Sequence, residues 1–209
     1  NVVYAGRWDW SYLNPVMFIK GAEHANGDHD NAMLGADFRW LIHKYHSIYG
    51  EFFADDITTS KIGDDWYGNK FAWHIGSYLV KPFGLADVDV RTEYTRIDPW
   101  VYTHRYPINS ATHYGDVFGN PLGPNSDEIF GEVRKRFSRR FQVSLSASRR
   151  RHGANPPGEN VGGDPLEGYS KGDPTDGTFL AGDVEETMLY SFDMSYELFW
   201  QLFLRAGYT

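Results

Sequence analysis

The chain has 209 residues, of which 41% are hydrophobic and 17% aromatic, and it contains no cysteine. This composition is typical of a folded domain and too apolar for a disordered chain, and the lack of cysteine excludes disulfides, thiolate metal sites and cysteine nucleophiles. The net charge of −8 argues against nucleic-acid binding, which needs a basic surface. No apolar run reaches the roughly 18 to 20 residues of a membrane-spanning helix, so a membrane could be crossed only by strands.

Apolar and polar residues alternate in one segment after another, which is the pattern of β-strands with two chemically different faces. The first such segment, residues 1–10, is weakly patterned. Clearer segments lie at 32–42, 48–55, 71–79, 87–95, 141–148, 188–198 and 201–209. Together they predict an all-β chain with about ten strands.

Alternation alone does not separate a membrane barrel from a soluble sandwich, but three further features favour the barrel. Several segments are longer than the usual globular strand, and bulky aromatic residues gather at their ends, as at a lipid boundary. Connection lengths also alternate. Short links at 11–14, 43–46, 81–85, 138–140 and 199–200 interleave with longer ones near 24–31, 56–69, 98–127 and 151–185.

These features predict an antiparallel up-and-down transmembrane β-barrel, with residues 1–209 as a single barrel domain. The last segment leaves the short 199–200 turn and therefore runs outward. A closing strand of a single-chain barrel should instead run inward. We therefore expect this chain to be part of a larger barrel, a fragment without its start and its closing strand or strands.

Five motifs spread over most of the chain carry a family resemblance. They are Leu13-Asn14-Pro15 with Gly27-Asp28-His29-Asp30-Asn31, Glu93-Tyr94-Thr95-Arg96-Ile97-Asp98-Pro99-Trp100, Thr112-His113-Tyr114-Gly115, Pro121-Leu122-Gly123-Pro124-Asn125-Ser126-Asp127-Glu128 and Arg151-His152-Gly153-Ala154-Asn155. The chain thereby resembles the capsule-assembly (Wzi-type) outer-membrane proteins. The resemblance implies a large barrel in a bacterial outer membrane that, in the namesake members, binds exopolysaccharide and holds capsule at the cell surface. Fold transfers between such relatives more readily than function.

The longest connection, residues 98–127, is a candidate polysaccharide-binding loop. Sugars are commonly held by aromatic faces with convergent polar groups in a concave site. The loop supplies such residues at Trp100, Tyr102, His104, Tyr106, His113 and Tyr114. A rigid loop that packs across or into the barrel, with prolines as turn residues, explains the same composition slightly better.

Charged residues provide two more candidate sets. Arg149, Arg150 and Arg151 begin at an outer strand end, where they could meet lipopolysaccharide phosphates or an acidic capsule; a solvated charge cluster is the default alternative. Opposed charges on the predicted lumen face could set ion preference or bind polyanions, or simply keep a wide interior solvated. These lumen-lining residues are Asp37, Arg39, Glu51, His74, Asp89, Arg91, Glu93, Glu132, Arg134 and Asp193.

Three other segments carry weaker signals. Residues 26–31 could supply oxygen ligands to calcium, but a tight Asx- and Gly-rich turn explains them more simply. His24-Ala25-Asn26-Gly27 faintly resembles an outer-membrane phospholipase signature but lacks the nucleophilic serine, so we predict no enzyme activity, no metal and no cofactor. The Gly- and Asp-rich stretch 155–178 predicts an exposed, mobile loop.

Three functions remain open from the sequence. The first is a non-enzymatic outer-membrane barrel that binds or anchors surface polysaccharide through its outer loops and mouth, with membrane lipid and lipopolysaccharide as further partners. The second is a passive, porin-like channel for small solutes. The third is a structural subunit of a larger envelope complex.

Overall fold

The computed structural model describes residues 2–3, 10, 31–104 and 106–209. Almost all regular structure in these ranges is β-strand, with single 3-10 turns at Thr59–Lys61, Pro82–Gly84 and Pro107–Asn109. Among the described residues, no helix is long and apolar enough to span a membrane.

Eight long strands form the main sheet, and four two-residue strands form two small pairs. The strands are β1 (Val2–Val3), β2 (Asn31–Ala32), β3 (Leu34–His43), β4 (His46–Asp56), β5 (Lys70–Val80), β6 (Val88–Ile97), β7 (Thr112–His113), β8 (Asp116–Val117), β9 (Ser126–Arg136), β10 (Phe141–Ala154), β11 (Asp183–Phe199) and β12 (Leu202–Tyr208).

The main sheet is an antiparallel meander in the order β3-β4-β5-β6-β9-β10-β11-β12, so that each strand pairs with the next long strand of the chain. The prediction of an all-β, antiparallel, up-and-down arrangement is therefore confirmed. Within the described ranges, the edge strands β3 and β12 do not pair with each other, and the sheet does not close into a barrel. Of the strand expected over residues 1–10, Val2 and Val3 form β1, which pairs with β2, whereas the other described residue, Trp10, has 3-10 rather than strand conformation.

Strand register gives the sheet two chemically different faces. On the polar face, Glu51 lies opposite Asp37 on one side and His74 on the other. On the apolar face, Leu145 lies opposite Val133 and Phe192, and Leu145 is 58% exposed. Apolar side chains on this face stay uncovered from β3 to β12 because the described residues place no second layer over it.

The connections sort into two ends of the sheet. Tight links at residues 44–45, 81–87, 137–140 and 200–201 form the short-turn end. Long connections at 57–69, 98–125 and 155–182 form the long-loop end. The predicted alternation of short and long links is thus present among the described connections, while the predicted links at 11–14 and 24–30 lie outside the described residues.

The compact core lies at the long-loop end, where loop residues cover part of the polar face. Its buried members are Ala72, Ile97, Val101, Tyr102 and Ala111, with Phe53 packed against them. The sheet therefore has a folded cap at its long-loop end.

Candidate functional site

Residues 98–125, here called the long loop, fold over the polar face rather than extend into solvent. Tyr102 carries much of this contact: its ring lies 5.7 Å from the Phe53 ring, and its hydroxyl accepts a hydrogen bond from the Asn120 backbone N–H at 3.1 Å. Trp100 and Tyr102 have φ angles of 67° and 70°, a conformation that costs non-glycine residues about 1–3 kcal/mol each. The surrounding packing holds the loop in this shape.

A buried polar cluster fastens the long loop to the end of β4. The Asp55 carboxylate is fully buried and accepts hydrogen bonds from Asn31 Nδ2 at 2.8 Å and the Tyr102 backbone N–H at 2.9 Å. His104 Nε2 lies 3.3 Å from the same carboxylate. Burial raises the pKa of the nearby Tyr102 phenol; the Asn120 hydrogen bond lowers this pKa and the Asp55 charge adds to the rise. Tyr102 therefore stays neutral and keeps its role as a packed, hydrogen-bonded residue.

Asn125 joins the long loop to the third long connection. It is fully buried with a φ of 53°, and its Nδ2 donates to the carbonyl oxygens of Gly153 at 2.7 Å and Ala181 at 3.0 Å. Its Oδ1 accepts from the Leu180 backbone N–H at 2.7 Å. One side chain thus fixes three segments in a single arrangement, because buried amide groups need all of these partners.

Aromatic packing extends this arrangement to all three long connections. Tyr67 stacks on Tyr169 at 4.5 Å between ring centroids, and Trp100 meets both rings edge-on. Gly162 approaches Trp100 so closely that a Cβ there would lie 2.6 Å from the indole. We call residues 57–69, 98–125 and 155–182 together the loop unit.

The stretch 155–178, for which the composition predicts an exposed, mobile loop, is only partly exposed. Asn160 and Val161 are 4% and 7% exposed. The Asn155 side chain donates to Asn160 and Glu167 and accepts from the backbone N–H groups of Val161 and Gly163. Hydrogen bonds from side-chain amides therefore order this stretch, which has few apolar residues for packing.

A cavity of 440 Å³ lies between the long loop and the polar face. We call it the loop cavity. Phe53, Tyr102 and Phe118 give it aromatic walls, and Glu51, His74, Thr95 and Asn120 add polar groups. Its volume falls within the range of small-ligand pockets, which also combine apolar walls with a few polar groups. Gly119 belongs to its rim, and a Cβ there would lie 2.6 Å from the Tyr102 ring.

The six long-loop residues predicted to bind polysaccharide are divided between the interior and the surface of the loop unit. Trp100 and Tyr102 are 1% and 4% exposed, whereas Tyr106 and Tyr114 are 61% and 95% exposed. His113 is exposed beside Tyr114, with 4.4 Å between the ring centroids, and His104 packs beside Asp55. The buried half therefore shapes the loop, as the rigid-loop interpretation expects, and only Tyr102 also lines the loop cavity.

Sequence reasoning missed Phe53, Phe118 and Asn120 as cavity residues. Phe53 stands in the alternating pattern of β4, which gives no sign that a loop would cover it. Phe118 and Asn120 lie in the predicted loop but outside its aromatic cluster in sequence. The weaker motifs at residues 24–31 lie outside the described residues, except for Asn31 in β2. Within the described ranges, no group of His, Asp and Glu side chains could hold a metal ion.

The three consecutive arginines each meet a carboxylate on a neighbouring strand instead of forming one free cluster. Arg149 and Arg151 lie on the apolar face, where they pair with Glu186 at 2.7 Å and with Asp127. Arg150 lies on the polar face and pairs with Glu128 at 2.6 Å. Alternation along β10 separates them, and the paired acids largely neutralise their charge.

Register puts all ten predicted lumen-lining residues on the polar face. Part of this set forms a chain of ion pairs. Arg91 contacts Glu132 at 3.2 Å and Glu93 at 3.6 Å, and Arg134 contacts Glu132 at 2.9 Å. His74 lies 3.9 Å from Glu93. In the described part of the chain, Asp37, Arg39 and Glu51 have no ion pair within 4 Å.

Comparison with known proteins places the chain in one family. No curated protein and no solved structure gives a match. Residues 6–209 match the family described as "Capsule assembly protein Wzi", which agrees with the resemblance of the sequence motifs and is not described as a family of enzymes. Because the match covers almost the whole chain, this protein belongs to the Wzi capsule assembly protein family.

Proposed function

We propose that this chain is a section of the wall of an outer-membrane β-barrel and that it binds surface polysaccharide at its long-loop end. Family membership supports a role in capsule assembly. The wall assignment is supported by the uncovered apolar face, which suits lipid, and by the polar face, which suits a lumen. Long strands, short turns at one end and long loops at the other are the pattern of such barrels.

A row of charges on the apolar face supports this orientation. Arg96, Asp127, Arg151 and Glu186 lie directly opposite one another on β6, β9, β10 and β11, on the long-loop side of the apolar residues. An arginine at the middle of a bilayer costs about 2–4 kcal/mol, and this cost falls close to zero at the interface. The position of this row supports an outer lipid boundary at its level, with the loop unit beyond it.

The loop cavity is the observation that carries the binding proposal. It combines three aromatic walls with several hydrogen-bonding groups, and the loop unit around it is held by buried contacts. A rigid, partly apolar pocket binds with less loss of conformational entropy than a flexible loop. Phe118, which lines this cavity and is 79% exposed, extends its aromatic surface outward. Tyr114, which is 95% exposed, adds an aromatic side chain on the surface of the same loop.

Variants of these two residues test the proposal. Surface polysaccharide extracted from the producing strain is titrated against the purified protein in detergent. We expect Phe118→Ala to weaken binding about tenfold, the equivalent of about 1.4 kcal/mol, and Tyr114→Ala to weaken it less. Phe83→Ala is the matched control, because Phe83 is fully exposed at the short-turn end. Equal binding by wild type and Phe118→Ala, or no binding by wild type, would contradict the proposal.

The ion-pair chain on the polar face favours a second candidate function, a passive pore for small solutes. Opposed charges along a wall that lines a lumen set ion preference. A steady conductance of the full-length protein in planar bilayers, unchanged by polysaccharide, would favour the pore. Conductance that is absent, or that polysaccharide blocks, would favour the binding function.

A further inference from the structure

A second cavity lies next to the loop cavity, further from the long-loop end. Its volume is 360 Å³, and Asp37, Arg39, Tyr49, Glu51 and Tyr78 line it on the polar face. We call it the wall cavity. It belongs to the sheet alone, because its lining residues come from β3, β4 and β5.

Tyr49 is held in place within the wall cavity. Its hydroxyl donates a hydrogen bond to Glu93, and its ring occupies the space above Gly76, where a Cβ would lie 2.3 Å from the ring. The ring also lies 5.9 Å from the His74 ring. An aromatic ring fixed in this way presents its surface to a ligand at little entropic cost.

Glu51 connects the two cavities, because it lines both. Tyr49, Glu51 and Phe53 are every second residue of β4 and therefore share one face of the strand. At about 3.3 Å per residue, roughly 13 Å separates Tyr49 from Phe53. The connected surface is therefore longer than a single sugar ring, and its length follows β4 from the loop unit into the wall.

The charges of the wall cavity favour a neutral ligand. Asp37 and Glu51 are acidic and Arg39 is basic, and none of the three has an ion pair within 4 Å among the described residues. The neighbouring Arg91, Glu132 and Arg134 are by contrast paired with one another. Ionised carboxylates only accept hydrogen bonds, so Asp37 and Glu51 suit the hydroxyl groups of a ligand. The net negative charge of Asp37, Glu51 and Arg39 together disfavours an anionic ligand.

We propose that the loop cavity and the wall cavity form one groove along β4 that takes an extended, uncharged segment of an oligosaccharide. The proposal rests on the proposed polysaccharide function and deepens it. The segment enters at Phe118, contacts Glu51 in the middle and reaches Tyr49, Asp37 and Arg39 in the wall. Binding therefore depends on ligand length, because a short fragment fills the loop cavity alone.

Graded fragments of the polysaccharide from the producing strain test the groove. Each fragment is titrated against the full-length protein in its native form and after chemical reduction of its carboxylates to alcohols. We expect wild-type affinity to rise with length and then reach a plateau, and carboxylate reduction to leave it unchanged or to strengthen it. Asp37→Asn should weaken the long fragments about fivefold to tenfold and leave the shortest binding fragment unaffected.

Asp87→Asn is the matched control, because Asp87 is exposed in a short turn, and it should bind every fragment as wild type does. Phe118→Ala should weaken all lengths. If Asp37→Asn binds long fragments as tightly as wild type while Phe118→Ala weakens them, the groove is wrong and the loop-cavity function stands. If reduction of the carboxylates abolishes binding, the assignment of an uncharged segment is wrong. If wild type binds no fragment, the polysaccharide function itself fails.

Discussion

The connections at the two ends of the sheet differ strongly in how they are packed. At the short-turn end, tight links leave large aromatic residues in the open, and Phe83, Trp200 and Phe199 are 101%, 87% and 71% exposed. At the long-loop end, three connections pack together, and Trp100 and Val101 are 1% and 0% exposed. The contrast is not one of composition, since both ends are rich in aromatic residues.

The difference shows that specific long-range contacts are concentrated at the long-loop end. A turn needs only local backbone geometry, whereas the loop unit is held by hydrogen bonds between residues 28 to 56 positions apart. Such contacts offset the loss of conformational entropy that ordering these loops requires. A surface ordered in this way is preorganised, and preorganisation favours ligand binding.

Removal of the Asn125 side chain should give the largest loss of stability at the long-loop end. Asn125→Ala leaves one buried and two part-buried backbone groups without their partner, at about 1–3 kcal/mol each, and adds the strain of an alanine at positive φ. We expect the loop unit to lose at least about 3 kcal/mol, measured by hydrogen exchange at amides of residues 155–182.

Asn125→Gly separates the two causes, because glycine adopts the positive φ without strain. The glycine variant also lacks the three hydrogen bonds but has no backbone strain. Its loss of stability should therefore be smaller than that of the alanine variant. Amides in β10 and β11 should exchange as in wild type. Equal exchange of the loop amides in wild type and Asn125→Ala would show that Asn125 does not hold the loop unit together.

A pair of aspartates compares the two ends directly. Asp55→Asn removes the charge that faces His104 and Lys70 at the long-loop end, and we expect it to destabilise the protein by about 1–3 kcal/mol. Asp87→Asn, at the short-turn end, should change stability by less than about 0.5 kcal/mol. Both are measured as unfolding midpoints in detergent, and a larger effect for Asp87 would reverse the comparison.

A pair of tyrosines gives the smallest expected difference. Tyr102→Phe removes the hydroxyl that accepts from Asn120 and should cost about 1 kcal/mol. Tyr45→Phe, in a short turn and 38% exposed, should have almost no effect. Faster exchange of the Asn120 amide in the first variant alone is the expected signature. If that amide exchanges at the wild-type rate, the hydrogen bond does not hold the rim of the cavity.

Local pattern was enough to predict seven of the eight long strands and their two faces, whereas β9 (Ser126–Arg136) was not among the predicted alternating segments. Alternation places Asp37 and Glu51 on one face regardless of what lies elsewhere in the chain, and a meander of neighbouring strands then aligns the faces. The β10 arginines show the limit of this reasoning. Their alternation is visible in the sequence, but their carboxylate partners come from β9 and β11 and depend on register.

The candidate site was less predictable because its contacts are non-local. The aromatic loop was correctly singled out, but nothing in its sequence tells buried Tyr102 from exposed Tyr114. That distinction depends on Asp55, which lies 47 positions away and accepts the Tyr102 backbone N–H. Asn125 likewise looks like an ordinary loop residue until Gly153 and Ala181 are brought to it.

Labelling of single cysteines in intact cells tests most directly whether the long-loop end faces outward from an outer membrane. The chain contains no cysteine, so Phe118→Cys and Phe83→Cys each provide one reactive group at opposite ends of the sheet. With a membrane-impermeant maleimide, we predict that Phe118→Cys is labelled in intact cells and Phe83→Cys only after the outer membrane is permeabilised. Labelling of Phe83→Cys in intact cells, with Phe118→Cys protected or equally reactive, would contradict the proposed orientation and the binding role assigned to the loops.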